Sequence, residues 1–144
     1  MRSSRLVRIA SLAAFAVSIV AFALPARGAD RLTVGEYEVT VTMDGKTRTL
    51  TRCVTAADAL DANADAKEGR ERLAKIAQTC SIIQYDVEGN TVTIGMKCGD
   101  ATSTSRTTYA GTSYIADTTD TFQEGGKPTV SKRHAEAKRV GDCK

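Results

Sequence analysis

The side chains that could do acid–base chemistry are few. His134 is the only histidine; it lies beside Arg133, with Glu136 two residues further along the same strand face. Acid–base catalysis would require a nucleophile or a carboxylate within hydrogen-bond range of this imidazole. Asp117 and Asp120 are three residues apart in a strand-like segment, which directs them to opposite faces. We therefore predict an exposed histidine and no catalytic residue.

The cysteines favour disulfide bonds over metal binding. The chain contains four: Cys53, Cys80, Cys98 and Cys143. The intervals between them are 27, 18 and 45 residues, without a C-x-x-C pair, and a single histidine is a poor complement for a zinc site. An even number of cysteines in a small exported domain is typical of two disulfides. We expect no metal and no cofactor.

A basic cluster lies near the C-terminus. It consists of Lys132, Arg133, Lys138 and Arg139. On a strand these charges divide between two faces, and we interpret them as protection of a solvated edge strand against unwanted pairing. Attraction to anionic lipid headgroups or cell-wall polymers is the alternative interpretation.

The first 28 residues have the layout of a secretory signal peptide. Three arginines precede an apolar stretch over residues 9–24, and small residues follow at Ala26 and Gly28. The apolar stretch is shorter than the roughly 20 residues that span a bilayer. We therefore predict cleavage after Gly28, a single mature domain over residues 29–144, and no stable membrane anchor after cleavage.

Removal of this leader changes the charge balance. The whole chain has 20 basic and 17 acidic residues, and the leader contains four of the arginines and no acid. The remaining 116 residues therefore carry 16 basic and 17 acidic side chains, which argues against a nucleic-acid partner. A chain of this length forms one domain with one core.

Period-two alternation in GEYEVTVTM predicts a half-buried strand, and Asp44-Gly45 is a preferred hairpin turn. This turn places Tyr37 opposite Arg52 and Val39 opposite Leu50. A second hairpin follows from the same reasoning.

That second hairpin turns at Gly89-Asn90. The turn places Tyr85 opposite Ile94 and Ile83 opposite Met96. The same register sets a serine rather than Cys80 against Cys98, so we expect a bulge near Thr79.

Between the hairpins the chain is rich in alanine and charge. We predict a short helix near residues 56–61 and a longer one near 66–78, whose apolar stripe is Leu73, Ile76 and Ala77. Thr55 with Asp58 resembles a capping box, and Asp65 with Glu68 makes a fuller one. The fold class that follows is mainly β: an antiparallel meander of about seven strands, as a curved sheet or partial barrel, with a helical insertion near 56–78.

The segment 101–110 is rich in small and hydroxyl side chains, and a turn after it sets Tyr109 opposite Tyr114. Either a helix packs on this strand or the concave face of the sheet is partly hollow, and we expect packing, since an unfilled cavity costs stability. A hollow face would offer these candidate ligand-binding residues: Tyr85, Ile94, Met96 and Tyr109.

The disulfide pairing follows from these elements. Cys80 and Cys98 flank the second hairpin, whereas Cys53 ends the second strand and Cys143 follows the last one. Of the three possible pairings we favour Cys80–Cys98 with Cys53–Cys143. Pairing of Cys53 with Cys80 would instead bring the C-terminus beside the central hairpin.

Five segments together resemble one known family. They are GEYEVTVTMDGK, RCVTAADAL, CSIIQYDVEGNTVTIGMKC, TYAGTSYIADTT and KRVGDCK. They are similar to successive blocks of a bacterial exported family, domain of unknown function 3617, over roughly residues 34–144. The chain departs from that pattern at Ala56, where members often have proline, and lacks their methionine- and proline-rich first loop. The resemblance implies export, this fold and disulfides, and it names no catalytic residue.

We therefore expect a periplasmic or secreted bacterial β-domain that is not an enzyme. Its partner would be a protein or a small apolar ligand of the cell envelope, bound on the sheet face. The alternative is a small disulfide-bonded inhibitor or envelope-stress protein, and a third possibility is an enzyme without a visible motif. A hollow concave face would favour ligand binding. A protruding loop would favour inhibition, and a convergent acid–base cluster would favour catalysis.

Overall fold

The computed structural model describes residues 30–144, so the predicted signal peptide and its cleavage site lie outside the described residues. The strands are β1 (Gly35–Met43), β2 (Lys46–Val54), β3 (Ser81–Glu88), β4 (Thr91–Cys98), β5 (Ala101–Tyr109), β6 (Ser113–Glu124) and β7 (Lys127–Gly141). The helices are α1 (Ala56–Asn63) and α2 (Ala66–Ile76). Neither of these described helices is long and apolar enough to cross a membrane.

All seven strands form one antiparallel sheet in the order β2-β1-β7-β6-β5-β4-β3. The mainly-β prediction is confirmed, with one correction. The last strand is not an edge strand, because β7 pairs with β6 on one side and with β1 on the other. Its basic residues therefore do not protect an edge; Arg133 and Arg139 share a face with Tyr37, while Lys132 and Lys138 lie on the opposite face.

The first hairpin has the register that its sequence predicts. Tyr37 pairs with Arg52 and Val39 with Leu50 on the inner face of the sheet. On the outer face, hydroxyl groups of facing threonines lie within hydrogen-bond distance, for example Thr42 Oγ1 and Thr47 Oγ1 at 3.0 Å. Such cross-strand pairs fix the register of a hairpin.

The second hairpin differs from the prediction at one end. Tyr85 pairs with Ile94 as expected, but Met96 pairs with Ile82 instead of Ile83. The register shifts between Ile82 and Gln84, so the bulge lies at Ile83 and not near Thr79. This bulge brings both Ile82 and Tyr85 to the inner face of the sheet and sets the two flanking cysteines opposite each other.

The helices begin at capped residues. The Thr55 hydroxyl accepts from the Asp58 amide, and the Asp58 carboxylate accepts from the Thr55 amide, which completes a capping box. At α2 the Asp65 carboxylate accepts from the Glu68 amide, but the Glu68 carboxylate binds the Arg72 guanidinium. The fuller capping box is therefore at α1 and not, as predicted, at α2.

The packed face of α2 is also different from the predicted stripe. Ile76 is 76% exposed, and the buried residue of α2 is Gly69. A Cβ atom at Gly69 would collide with the phenol of Tyr85, so the glycine lets that ring lie under the helix. Since glycine inside a helix costs about 1 kcal/mol relative to alanine, this close approach accounts for its presence there.

The core lies at one end of the inner face, where an N-terminal segment closes the sheet. Leu32 is buried, and both of its backbone polar groups bond to the Asn63 amide of α1 at 3.0 and 2.9 Å. The Tyr37 side chain is fully buried, and its hydroxyl donates to the Thr33 carbonyl at 2.9 Å. Backbone bonds also join Thr33 to Gly111 in the β5–β6 turn, so this segment connects helix, sheet and turn.

Two disulfides cross-link the fold, Cys53–Cys143 and Cys80–Cys98, which is the pairing that the sequence favours. The first bond crosses the start of β1, which lies between β2 and β7. Gly35 stands at this crossing with φ of +150°, and a Cβ atom there would lie 2.7 Å from the Gly141 carbonyl oxygen and against the Arg139 side chain. Glycine is therefore required where the C-terminal segment passes β1.

We expect loss of the Cys53–Cys143 bond to destabilise the protein more than loss of Cys80–Cys98. Their sequence separations are 90 and 18 residues, which the chain-entropy relation converts to about 4.6 and about 3.2 kcal/mol. Urea unfolding of Cys53→Ser/Cys143→Ser and of Cys80→Ser/Cys98→Ser measures the difference. In Cys53→Ser/Cys143→Ser, amide hydrogen exchange should become faster only beyond Gly141, because β7 is paired with a strand on each side. Equal losses, or exchange throughout β7, would contradict this account.

Candidate functional site

A cavity of about 470 Å³ lies between the inner face of the sheet and α1. Every strand contributes to its wall, so the sheet curves around it. The lining residues are Leu32, Val39, Val41, Leu50, Arg52, Val54, Asp58, Asp61, Ala62, Tyr85, Val92, Ile94, Thr107, Tyr109, Tyr114, Ala116, Thr118, Arg133 and Ala135. Volumes of this size accommodate small organic ligands.

Small side chains in the middle of the sheet create the hollow. Ala116 of β6 pairs directly with Ala135 of β7, and Thr107 of β5 is the next residue in the same row. We expected a helix to pack over the small residues of β5, but Thr107 of this strand lines the cavity, so the structure is hollow there. α1 contacts β2, and α2 contacts β3, at the two edges of the sheet.

Aromatic rings close one end of the cavity. The Tyr114 ring centroid lies 6.1 Å from that of Tyr37 and 6.0 Å from that of Tyr109, distances typical of aromatic pairs. Burial raises the pKa of Tyr85, Tyr109 and Tyr114. All three phenols are therefore neutral near pH 7 and can donate or accept a hydrogen bond inside the cavity.

Charged side chains lie at both ends. At the aromatic end Arg52, which pairs with Tyr37, contacts the Asp58 carboxylate at 2.9 Å. Burial alone would raise the pKa of Asp58, but hydrogen bonds from Thr55 and the Arg52 charge outweigh it and lower the pKa below its usual value. Arg133 lies at the other end of the cavity, 3.8 Å from the Asp120 carboxylate and about half exposed. The cavity thus extends from the buried tyrosines to a charged, solvated end at Arg133.

The structure brings together three of the four candidate ligand-binding residues. Tyr85, Ile94 and Tyr109 line the cavity, whereas Met96 lies one row further along β4 and is not part of the lining. Sequence reasoning missed the alanine pair Ala116–Ala135, because small residues in a strand carry no signal until their neighbours are known. The inward direction of Arg133 could have been found from sequence, because Arg133, Ala135 and Ala137 are two residues apart along one strand and therefore share a face.

A second cluster lies on the outer face of the sheet. His134 Nδ1 is 2.7 Å from an Asp117 carboxylate oxygen, and Nε2 is 3.2 Å from Glu136. The carboxylate partners that acid–base chemistry would require are therefore present, which the sequence spacing did not reveal for Asp117. Both ring nitrogens are occupied by carboxylates, and hydrogen bonds to Asp117 and Glu136 raise the pKa of His134. Asp120 lies on the opposite face, as predicted.

These described residues define a class of architecture: an open, curved antiparallel sheet covered at both edges by a helix pair and cross-linked by two disulfides. The chain belongs to the family described as Protein of unknown function (DUF3617), whose model matches residues 32–143. The resemblance noted from the sequence is thereby confirmed. No curated protein and no solved structure matches the chain.

We expect NMR titration of the single imidazole to give a pKa above the ordinary value of about 6.5. Asp117→Asn should bring that pKa back toward the ordinary value, because it removes the closest carboxylate. A raised pKa stabilises the folded state below the unfolded value near 6.5, and this stabilisation is lost as the pH rises through the folded pKa. Asp117→Asn should therefore destabilise the protein at pH 6 more than at pH 9.

The matched control is Asp120→Asn, which removes a carboxylate from the opposite face of the same strand. It should leave the His134 titration unchanged. An unshifted His134 in the parent protein, or an equal effect of the two variants, would contradict the role given to Asp117.

Proposed function

We propose that this protein is an exported, non-catalytic binding domain that holds a small, mainly apolar ligand of the bacterial cell envelope in the cavity of its curved sheet. The observation that carries the proposal is the row Ala135–Ala116–Thr107, which keeps the centre of the inner face hollow. A cavity costs stability through the contacts that its lining loses. A ligand that fills this space restores those contacts.

The composition of the lining supports an apolar ligand. Aliphatic side chains from three strands form the wall: Val39, Val41, Leu50, Val54, Val92 and Ile94. Leu50 is 43% exposed although it lies on the inner face, so the wall also offers apolar area that the protein itself leaves uncovered. Three neutral phenols add polar contacts that can orient a ligand.

Two observations favour binding over catalysis. The carboxylates in the cavity wall are held by arginines, Asp58 by Arg52 and Asp61 by Arg72. The histidine cluster lies on the outer face, where the His134 nitrogens bond to carboxylates on both sides. The cavity and the acid–base cluster are therefore separated by the thickness of the sheet.

Export is supported by the leader-like sequence of residues 1–28 and by the two disulfides. Structural disulfides persist in oxidising compartments such as the bacterial periplasm and are rare in the cytosol. The periplasm is therefore the compartment that we propose.

Expression of the full chain in a Gram-negative host tests the compartment. We expect the protein in the periplasmic extract, with an intact mass that begins at Ala29 within a few residues. A control chain that lacks residues 2–28 should remain in the cytosol. A mature protein that retains Met1 would refute export by cleavage.

The neutral dye N-phenyl-1-naphthylamine, which fluoresces in apolar surroundings, tests the cavity. We expect saturable binding by the parent protein. Ala116→Ile/Ala135→Ile should weaken it at least tenfold, because the added methyl and methylene groups fill the hollow. The same change should leave the stability unchanged or raise it, since larger side chains fill a cavity that is already present.

The matched control is Thr119→Ile, an exposed position on the outer face of β6. It adds apolar surface without reaching the cavity, so the affinity for the dye should not change. Absence of dye binding in the parent, or equal binding by the filled variant, would overturn the proposed function.

A further inference from the structure

We infer that the ligand is a single-chain amphipathic anion, such as an alkyl carboxylate or alkyl phosphate, whose head group binds Arg133. This inference rests on the proposed function and adds the chemical class of the ligand. The tail would lie along the alanine row toward the tyrosines, with the head group at the charged end of the cavity.

The register of the central strands places a polar row beside the apolar one. Arg133 pairs with Thr118, which pairs with Ser105, and the Thr118 hydroxyl donates to the Ser105 hydroxyl at 3.2 Å. The next inward row, two residues along each strand, is Ala135–Ala116–Thr107. Two residues of a strand span about 7 Å, so the change from charged to apolar lining occurs within the length of a short alkyl chain.

Burial follows the same direction. The inner end is formed by Leu32, Tyr37 and Val54, each at most 5% exposed. At the outer end the Arg133 side chain is 48% exposed. An amphipathic molecule matches this gradient, because its tail leaves water while its head group remains partly solvated.

Arg133 has a long ion pair. It lies 3.8 Å from the Asp120 carboxylate, which is too far for a hydrogen bond, whereas at the aromatic end Arg52 and Asp58 are 2.9 Å apart. A guanidinium has five donors arranged to bind a carboxylate or phosphate through two parallel bonds. Arg133 can therefore accept an anionic head group without first breaking a short ion pair.

The test is displacement of N-phenyl-1-naphthylamine by matched twelve-carbon probes, each below its micelle-forming concentration. The probes are dodecanoate, dodecyl phosphate, dodecanol and dodecyltrimethylammonium. We expect at least one of the two anions to displace the dye at a concentration about tenfold lower than the alcohol, and the cation to be weaker than both. The comparison of the two anions identifies the preferred head group.

Arg133→Met, which keeps the apolar stem, should weaken the preferred anion about tenfold or more relative to dodecanol measured on the same variant. Lys132→Met removes the same charge from the outer face of β7 and should change nothing. The anionic preference should also shrink at high salt, because the mouth is solvated.

The outcomes separate the two proposals. If the dye does not bind the parent protein, the proposed function fails and this inference fails with it. If the dye binds but dodecanol displaces it as well as both anions, the cavity function stands and the anionic head group is overturned. Equal losses in the Arg133 and Lys132 variants would also overturn the role of Arg133. The head-group comparison uses the parent protein, so it decides the question even if a variant fails to fold.

Discussion

The constraint on which the structure depends is that the chain leaves the sheet at one edge, β2, and returns at the opposite edge, β3. Six strand spacings of about 4.8 Å make a flat sheet about 29 Å wide. Helices of 8 and 11 residues are about 12 and about 16 Å long. With the residues that join them, the two helices are long enough to connect the two edges. The inner face, which every strand lines, becomes the floor under this connection.

A hollow floor requires that the fold be held elsewhere. The buried apolar set is small, and four of its nine members are alanines, which contribute little burial each. The N-terminal segment compensates at one end, since Arg31 donates to carbonyl groups of Ala62 and Gly89 and so joins α1 to the β3–β4 turn. The two disulfides stabilise further connections between parts of the chain. Stability and an open cavity coexist because the restraints lie around the cavity instead of within it.

What could be predicted from sequence was local. The turn at Asp44-Gly45 and the alternation that precedes it determine the first hairpin. Cys53 and Cys143 are far apart along the chain, so their disulfide was inferred only from their positions at strand ends. The bulge at Ile83 was misplaced because Ile82 and Ile83 are both isoleucines, so the apolar pattern does not tell which of them faces Met96. The central position of β7 was missed because pairing of the first and last strands is non-local and leaves no trace in either segment. The cavity depends on that same non-local pairing, so it could not be located.

The two faces of β7 show how closely register and site are linked. Arg133 faces the cavity, and the next residue, His134, faces the opposite side with its carboxylates. A slip of one residue would exchange all inward and outward side chains of the strand. It would place the His134 side chain in the hollow, where it would fill the cavity, and it would turn Ala135 to the outer face. Gly35 and the Cys53–Cys143 bond sit beside the one irregularity between β1 and β7, at Glu36. The pairs that β7 makes with β1 and β6 therefore fix the register that keeps the cavity hollow and Arg133 inside it, while the terminal cysteine holds the chain end beyond Gly141.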